Sequence, residues 1–224
     1  MALPPIAYST LQSSLIAAGA NILAQAITAH QNNTSFTIDW IPVFQFFLFA
    51  VVSTPPNFLW QEFLESTFPS THPAPTNDAI AAAASNDEKA LDTSPTLVEP
   101  KLNVRNTIIK TLLDQTVGAA INTVMFSMFM HPLKAAMAHH LPGQTGLDWL
   151  VGSKAVADYS VVDWPAVLAK SKAEFLPLLK AGWVYWPFVS VLNFAVIKDV
   201  PTRNLVGSLA GVAWGVYMSL FAAQ

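Results

Sequence analysis

The stretch Trp183–Arg203, WVYWPFVSVLNFAVIKDVPTR, decides how the rest of the chain is read. Its first fifteen residues are as oily as a membrane span, yet they include Pro187 and Asn193. The stretch then ends in Lys198, Asp199, Pro201 and Arg203. A proline inside a helix removes one N–H and frees the carbonyl four residues earlier, here that of Trp183. In hydrocarbon neither that carbonyl nor an amide side chain finds water, so neighbouring protein must satisfy both. An interhelical hydrogen bond from Asn193 is worth about 1 kcal/mol or less. The stretch therefore reads as a bent span inside a packed helical bundle, with Trp183 and Trp186 at its membrane entry. The residues alone leave open whether Pro187 and Asn193 also face water.

The composition agrees. Of 224 residues, 53% are hydrophobic and only 11% charged, against about 25% charged in a soluble domain. Mean hydropathy is +0.41, and no Lys or Arg precedes Lys89. A net charge of −3 gives no electrostatic reason to bind nucleic acid. With no cysteine, disulfides and thiolate chemistry are excluded. The N-terminus MALPPIAYSTLQ has neither a secretory n-region nor presequence arginines, so targeting is expected to be internal.

A helical span needs roughly 20 apolar residues. Five stretches approach this: 11–29, 40–64, 108–130, 177–197 and 205–223. The first is rich in Ala, Gly and Ser and reads as a span shielded by its neighbours. The second contains Pro55 and Pro56, which predict a kink or break. Asp163 and Pro165 suit a helix start. Trp164, Leu168, Phe175 and Leu179 then recur at helical spacing, which predicts an interfacial amphipathic helix leading into the fourth span. Residues 69–103 are acidic and proline-rich and are expected to be a disordered linker. Sustained alternation is absent, which excludes a β-barrel. The chain is thus expected to be one all-α membrane domain over residues 1–224, with four to five spans. Basic residues flank both ends of the spans, so orientation stays open.

Few residues could carry chemistry. Lys110 and Asp114 share a helix face, with Gln115 beside them. Two readings compete: with Asn122 and Asn193 they line a watery path, or Lys110 and Asp114 form an ion pair that fixes helix packing. Gly207, Gly211 and Gly215 form a small-residue stripe where a second helix can approach, within the chain or from another copy. His139 and His140 stand in a loop without metal-ligand company, so no metal site is expected. No nucleophile elbow or phosphate-binding glycine motif occurs, and neither enzyme activity nor a cofactor is expected.

The C-terminal residues resemble the Mpv-seventeen and twenty-two-kilodalton peroxisomal membrane protein family. The family pattern runs W-P-x-x-Q-x-x-N-F, then V-P and Arg, then W-x-x-Y-L-S. Trp186, Pro187, Asn193, Phe194, Val200, Pro201, Arg203, Trp214, Tyr217 and Ser219 match it. KTLLDQ is similar to the family's K-x-x-x-D-Q at Lys110, Asp114 and Gln115, and GANILAQ to its G-D-x-x-x-Q at Asn21 and Gln25. Pro55, Trp60, Leu64 and Pro69 are similar to a further block. The chain departs from the pattern at Ser190 (usually Gln), Asn21 (usually Asp) and Ala120 (usually Pro), and in the spacing around Pro201. The resemblance implies an integral protein of the peroxisomal membrane, or alternatively of the mitochondrial inner membrane, with the bilayer as its main partner. It also implies a weakly selective channel for small solutes or a homo-oligomeric scaffold.

Overall fold

The structure, a computed structural model, describes residues 3–85, 97–138, 151 and 157–222, with side chains to 216. His139 and His140 lie outside the described residues. Helix α1 (Pro5–Gln31) is joined by a short turn to α2 (Trp40–Thr67). Strand β1 (Thr71–Pro75), helix α3 (Asn77–Ala84) and strand β2 (Val98–Leu102) follow. Then come α4 (Val104–Leu113), a π turn (Asp114–Gly118) and α5 (Ala119–Ala136), which make one long rod. A 3₁₀ turn (Tyr159–Val161) precedes α6 (Trp164–Val196) and α7 (Val200–Ala222). The all-α expectation holds for the body of the chain.

Helix α1 packs between α2 and α7, and the α4–α5 rod packs along α6. The hydroxyls of Ser13 on α1 and Ser208 on α7 meet at 2.8 Å. Asn57 and Glu65, late in α2, bond Asn204 and Arg203 at the start of α7, so α7 starts where α2 ends and runs parallel to α1. Short turns make α2 antiparallel to α1, and α6 antiparallel to α7. One end of the bundle thus gathers the end of α2, the β-hairpin, the start of α4 and the α6–α7 turn. The opposite end is closed by Ile41, Leu133 and Met137, against which Phe44, Leu48 and Phe129 pack.

Helix α6 shows how the chain meets its surroundings. Phe188 is 76% exposed and Val191 and Leu192 about half exposed, while Ser190, Asn193 and Phe194 on the same helix are buried. In this last third of α6 the polar Ser190 and Asn193 point inward while most oily side chains point outward, the reverse of a soluble helix. Among the described residues two helices, α2 and α6, are long and apolar enough to cross a membrane by length and composition. Only 11% of the most apolar window of α6 is buried within the chain. Four to five spans were expected. Among the described residues the remaining long helices do not meet this measure.

Three further expectations change. The segment 69–103 is not wholly disordered: Thr71 pairs with Leu102 and Pro75 with Val98 in antiparallel register. Asn103 N–H donates to Ser70 O at 2.8 Å, and Asn106 Nδ2 to Pro69 O at 3.0 Å, so both ends of the segment are zipped together. The amphipathic helix is not separate either, because α6 runs unbroken through Pro177 and Pro187 for 33 residues. At roughly 1.5 Å per residue this exceeds the hydrocarbon thickness of about 30 Å, so one continuous rod serves interface and span. Asp163 caps it as expected, accepting from Ala166 N at 3.0 Å. Likewise α2 continues through Pro55 and Pro56 without a break.

The turn between α1 and α2 is clamped by Gln25. Its Nε2 donates to Asp39 O and its Oε1 accepts from Asp39 N, both at 2.8 Å. Asn21 Oδ1 accepts from the same Nε2 at 2.8 Å and holds the amide in place. The Gln25→Ala variant is expected to lose about 1 kcal/mol, read as a lower unfolding midpoint of detergent-purified protein. An unchanged midpoint would show that the clamp is idle.

Candidate functional site

The site stands where α2, α4, α6 and α7 converge at the hairpin end. Lys110 and Arg203 are fully shielded from solvent, at 0% and 1% exposure. Both reach one oxygen of Glu65: Lys110 Nζ at 2.7 Å and Arg203 Nη1 at 2.6 Å from Oε2. Ser70 completes the set. Its hydroxyl donates to Glu65 Oε2 at 2.8 Å and accepts from Arg203 Nη2 at 3.0 Å and from Lys110 Nζ. One proton and two lone pairs are all a hydroxyl has, and all three are used. Ser70 N donates to Glu65 Oε1 at 2.7 Å, so the hairpin entry also fixes the carboxylate. The ring of Phe194 lies 4.9 Å from Lys110 Nζ and 5.4 Å from Arg203 Cζ, within cation–π range of both.

Arg203 does a second task. Its Nε donates to Asn193 O at 3.2 Å, which also accepts from Ile197 N, and to Ile197 O at 2.9 Å, just past the end of α6. Asn193 returns a bond from Nδ2 to Arg203 O at 3.4 Å. The motif spacing from Asn193 to Arg203 is therefore that of a helix whose C-terminus is capped by the next one. Asp199, in the turn outside the helices, accepts from Thr202 N at 2.8 Å to start α7. The Thr202 bonds hold the Asp199 carboxyl below its ordinary range.

One turn deeper lies Asp114, the first residue of the π turn. Its Oδ1 accepts from Trp60 Nε1 at 3.2 Å and Gln61 Nε2 at 3.3 Å. Its Oδ2 accepts from Ser190 Oγ at 2.8 Å and Gln115 Nε2 at 3.3 Å. The extra residue of the π turn leaves Gln115 O to be taken by Trp183 Nε1 at 2.9 Å. Gly118 makes room: an added Cβ would sit 2.9 Å from Trp60 Nε1 and 3.2 Å from Asp114 Oδ1. Below this, Trp186, Tyr185 and Trp214 pack together, and Tyr185 hydroxyl donates to Ala210 O at 3.1 Å.

Several sequence expectations are thereby corrected. Lys110 and Asp114 do not pair with each other, because Glu65 outcompetes Asp114 for the ammonium. Asn193 joins the Arg203 node, and Gln115 joins Asp114. Asn122 is exposed on α5 and belongs to neither group. Gly207, Gly211 and Gly215 are part-buried on α7, which packs along α1, and an added Cβ at each would meet nothing within 4 Å among the described residues. Tyr217 and Ser219 lie on the last turns of α7, beyond the described side chains. Glu65, Ser70, Gln61 and Ser190 escaped the sequence reading. Glu65 carried a usable signal: an acid directly after the aromatic run FLWQEFL requires a cation, and Lys110 and Arg203 are two of the basic residues within or beside the other oily stretches.

An all-helical chain with oily faces outward and ionised groups inward is, by class, an integral membrane bundle. Residues 161–219 match the Mpv17 / PMP22 family, which supports assigning the chain to it as the motif residues implied. Over 59 residues the chain is 36% identical to PXMP2/4 family protein 3 of Dictyostelium discoideum; the segment is 26% of this chain and 32% of that relative. The chain's match thus spans about a third of the curated relative's length. No solved structure matches. The matched segment holds Ser190, Asn193, Phe194 and Arg203 but not Glu65, Lys110 or Asp114. Members of the family are organelle membrane proteins.

Removing Glu65 strands two shielded cations on one another. Glu65→Ala is expected to cost about 3 kcal/mol, the low end for breaking a buried pair because the Glu65 side chain keeps 28% exposure. Ser70→Ala is expected to cost less, because both cations keep the carboxylate. Unfolding midpoints of the two variants in one detergent test the order, and equal losses would contradict the shared-carboxylate account.

Proposed function

We propose that this chain forms a gated, weakly selective passage for small hydrophilic solutes across an organelle membrane. The peroxisomal membrane is favoured, and the mitochondrial inner membrane is the alternative. One observation carries the reading: polar side chains stack two turns deep between the helices. Gln61 and Glu65 supply α2, Lys110 and Asp114 the third rod, and Ser190 and Asn193 α6, each pair three or four residues apart and so on one face. Oily helices do not carry such a column without a use, because each polar group costs insertion energy. The column residues bond to one another, so the conformation described is the closed one. Opening would separate Glu65 from Lys110 and Arg203. Protein reconstituted in planar bilayers is expected to conduct, with unit conductance or selectivity altered by Asp114→Asn and by Lys110→Ala. Silence from well-inserted protein, or currents that neither variant changes, would overturn the passage.

The glycine stripe of α7 favours a second reading, a scaffold that self-associates through Gly207, Gly211 and Gly215. Glycines at this spacing let a partner helix approach closely, and among the described residues nothing lies within 4 Å of a Cβ added at any of the three. Gly211→Leu is then expected to abolish crosslinked oligomers in membranes. The same oligomers before and after the change would exclude this interface.

A further inference from the structure

We propose that the outer face of α6 seats an anionic phospholipid, its headgroup phosphate at Lys172 and Lys180 and its acyl chains along the oily side chains that follow. Lys172, Leu176, Lys180, Val184, Phe188 and Leu192 recur at every fourth residue and so form one ridge along the helix. All six are exposed. Along the axis the ridge passes from cations to hydrocarbon, the order in which a phospholipid passes from headgroup to tail.

Lys180 is the residue that demands an occupant. It is the midpoint of a 33-residue helix. Helix α6 meets the third rod at Glu174 with His131 and at Ser190 with Asp114, both at 2.8 Å. Lys180 falls between these two levels, and the rod carries no charged side chain from Gln115 to Met130. The ammonium therefore leaves the bundle within its oily belt. A charge there is costly and is ordinarily paired or turned to water. Neither Lys172 nor Lys180 forms an ion pair among the described residues. The one acid in the α6 sequence, Glu174, is taken by His131 at 2.8 Å and Lys170 at 3.8 Å.

A lipid phosphate supplies the missing counter-charge. Helical side chains tilt toward the N-terminus, so the Lys180 stem leads its ammonium back toward Lys172 and the headgroups, where lysine stems ordinarily place their charge. The two lysines are about 12 Å apart along the axis, so Lys172 meets the headgroup layer and Lys180 draws the phosphate inward. A zwitterionic headgroup would press its own cation against them, whereas a net negative one matches. Basic side chains flanking a span gather acidic lipids in this way. A second copy docked by the same face would set lysine against lysine, because a two-fold interface is self-complementary. The lipid site is independent of solute passage, since it is measured on protein in detergent, where nothing is conducted.

The test titrates the purified full chain in dodecyl maltoside with phosphatidylglycerol or with phosphatidylcholine of the same acyl chains. Thermal unfolding midpoints are read throughout, and both lipids are expected to raise them saturably. Phosphatidylglycerol is expected to half-saturate at a mole fraction roughly fivefold or more lower, the preference that each lysine near the headgroups contributes. Lys180→Gln is expected to cut that preference roughly fivefold, and Lys180→Arg to keep it. Lys101→Gln, on the hairpin at the other end of the bundle, is expected to change nothing. Equal half-saturation by the two lipids would overturn the proposal. So would an unaltered preference in the Lys172→Gln, Lys180→Gln double variant, which would put the lipid elsewhere. Efficient disulfide dimers of Lys180→Cys in membranes would mean that a second copy covers the ridge, and the lipid site falls.

Discussion

One oxygen atom organises this bundle. Glu65 Oε2 is approached by Lys110, Arg203 and Ser70, which arrive from the third rod, from α7 and from the hairpin. Neither cation has solvent to fall back on, so each is tied to the carboxylate and through it to the other elements. The Arg203 backbone and guanidinium in turn tie the end of α6 to the start of α7. Two positive charges on one negative charge would be a poor trade alone. The ring of Phe194 and the partial exposure of Glu65 reduce the excess.

The same constraint explains the hairpin. An acidic, proline-rich segment has little reason to order, yet its ends are paired where they leave the bundle. That pairing holds Ser70 against Glu65 and starts α4 three turns before Asp114. Asn103 caps α4 by accepting from Asn106 N at 3.1 Å, so the position of Lys110 is set from the hairpin outward. The insertion is peripheral in composition and structural at its base.

Family motif and site overlap only in part. Trp186 and Trp214, 6.3 Å apart between ring centroids, join α6 to α7 at depth, and Asn193, Phe194 and Arg203 join them at the end. These are packing roles. The polar partners that give the site its charge come from α2 and the third rod, outside the matched segment. Ser190 stands where the resemblance leads one to expect a longer amide, and it still reaches Asp114.

Much was legible in the residues: the helical class, the inward-facing polar groups, the start of α6 at Asp163 and the importance of Trp186, Asn193 and Arg203. These follow from local rules, since hydrophobic length, capping and the cost of bare polar groups act within a few turns of chain. Partner choice was not legible. Spacing placed Lys110 beside Asp114, and only the assembled bundle set Glu65, 45 residues away, closer still. The glycine stripe suggested a close helix neighbour, within the chain or from another copy, and spacing alone did not say which. Periodicity states which face of a helix is polar. Which polar group it meets depends on how the helices are ordered around one another, and that is decided by contacts between residues far apart in sequence.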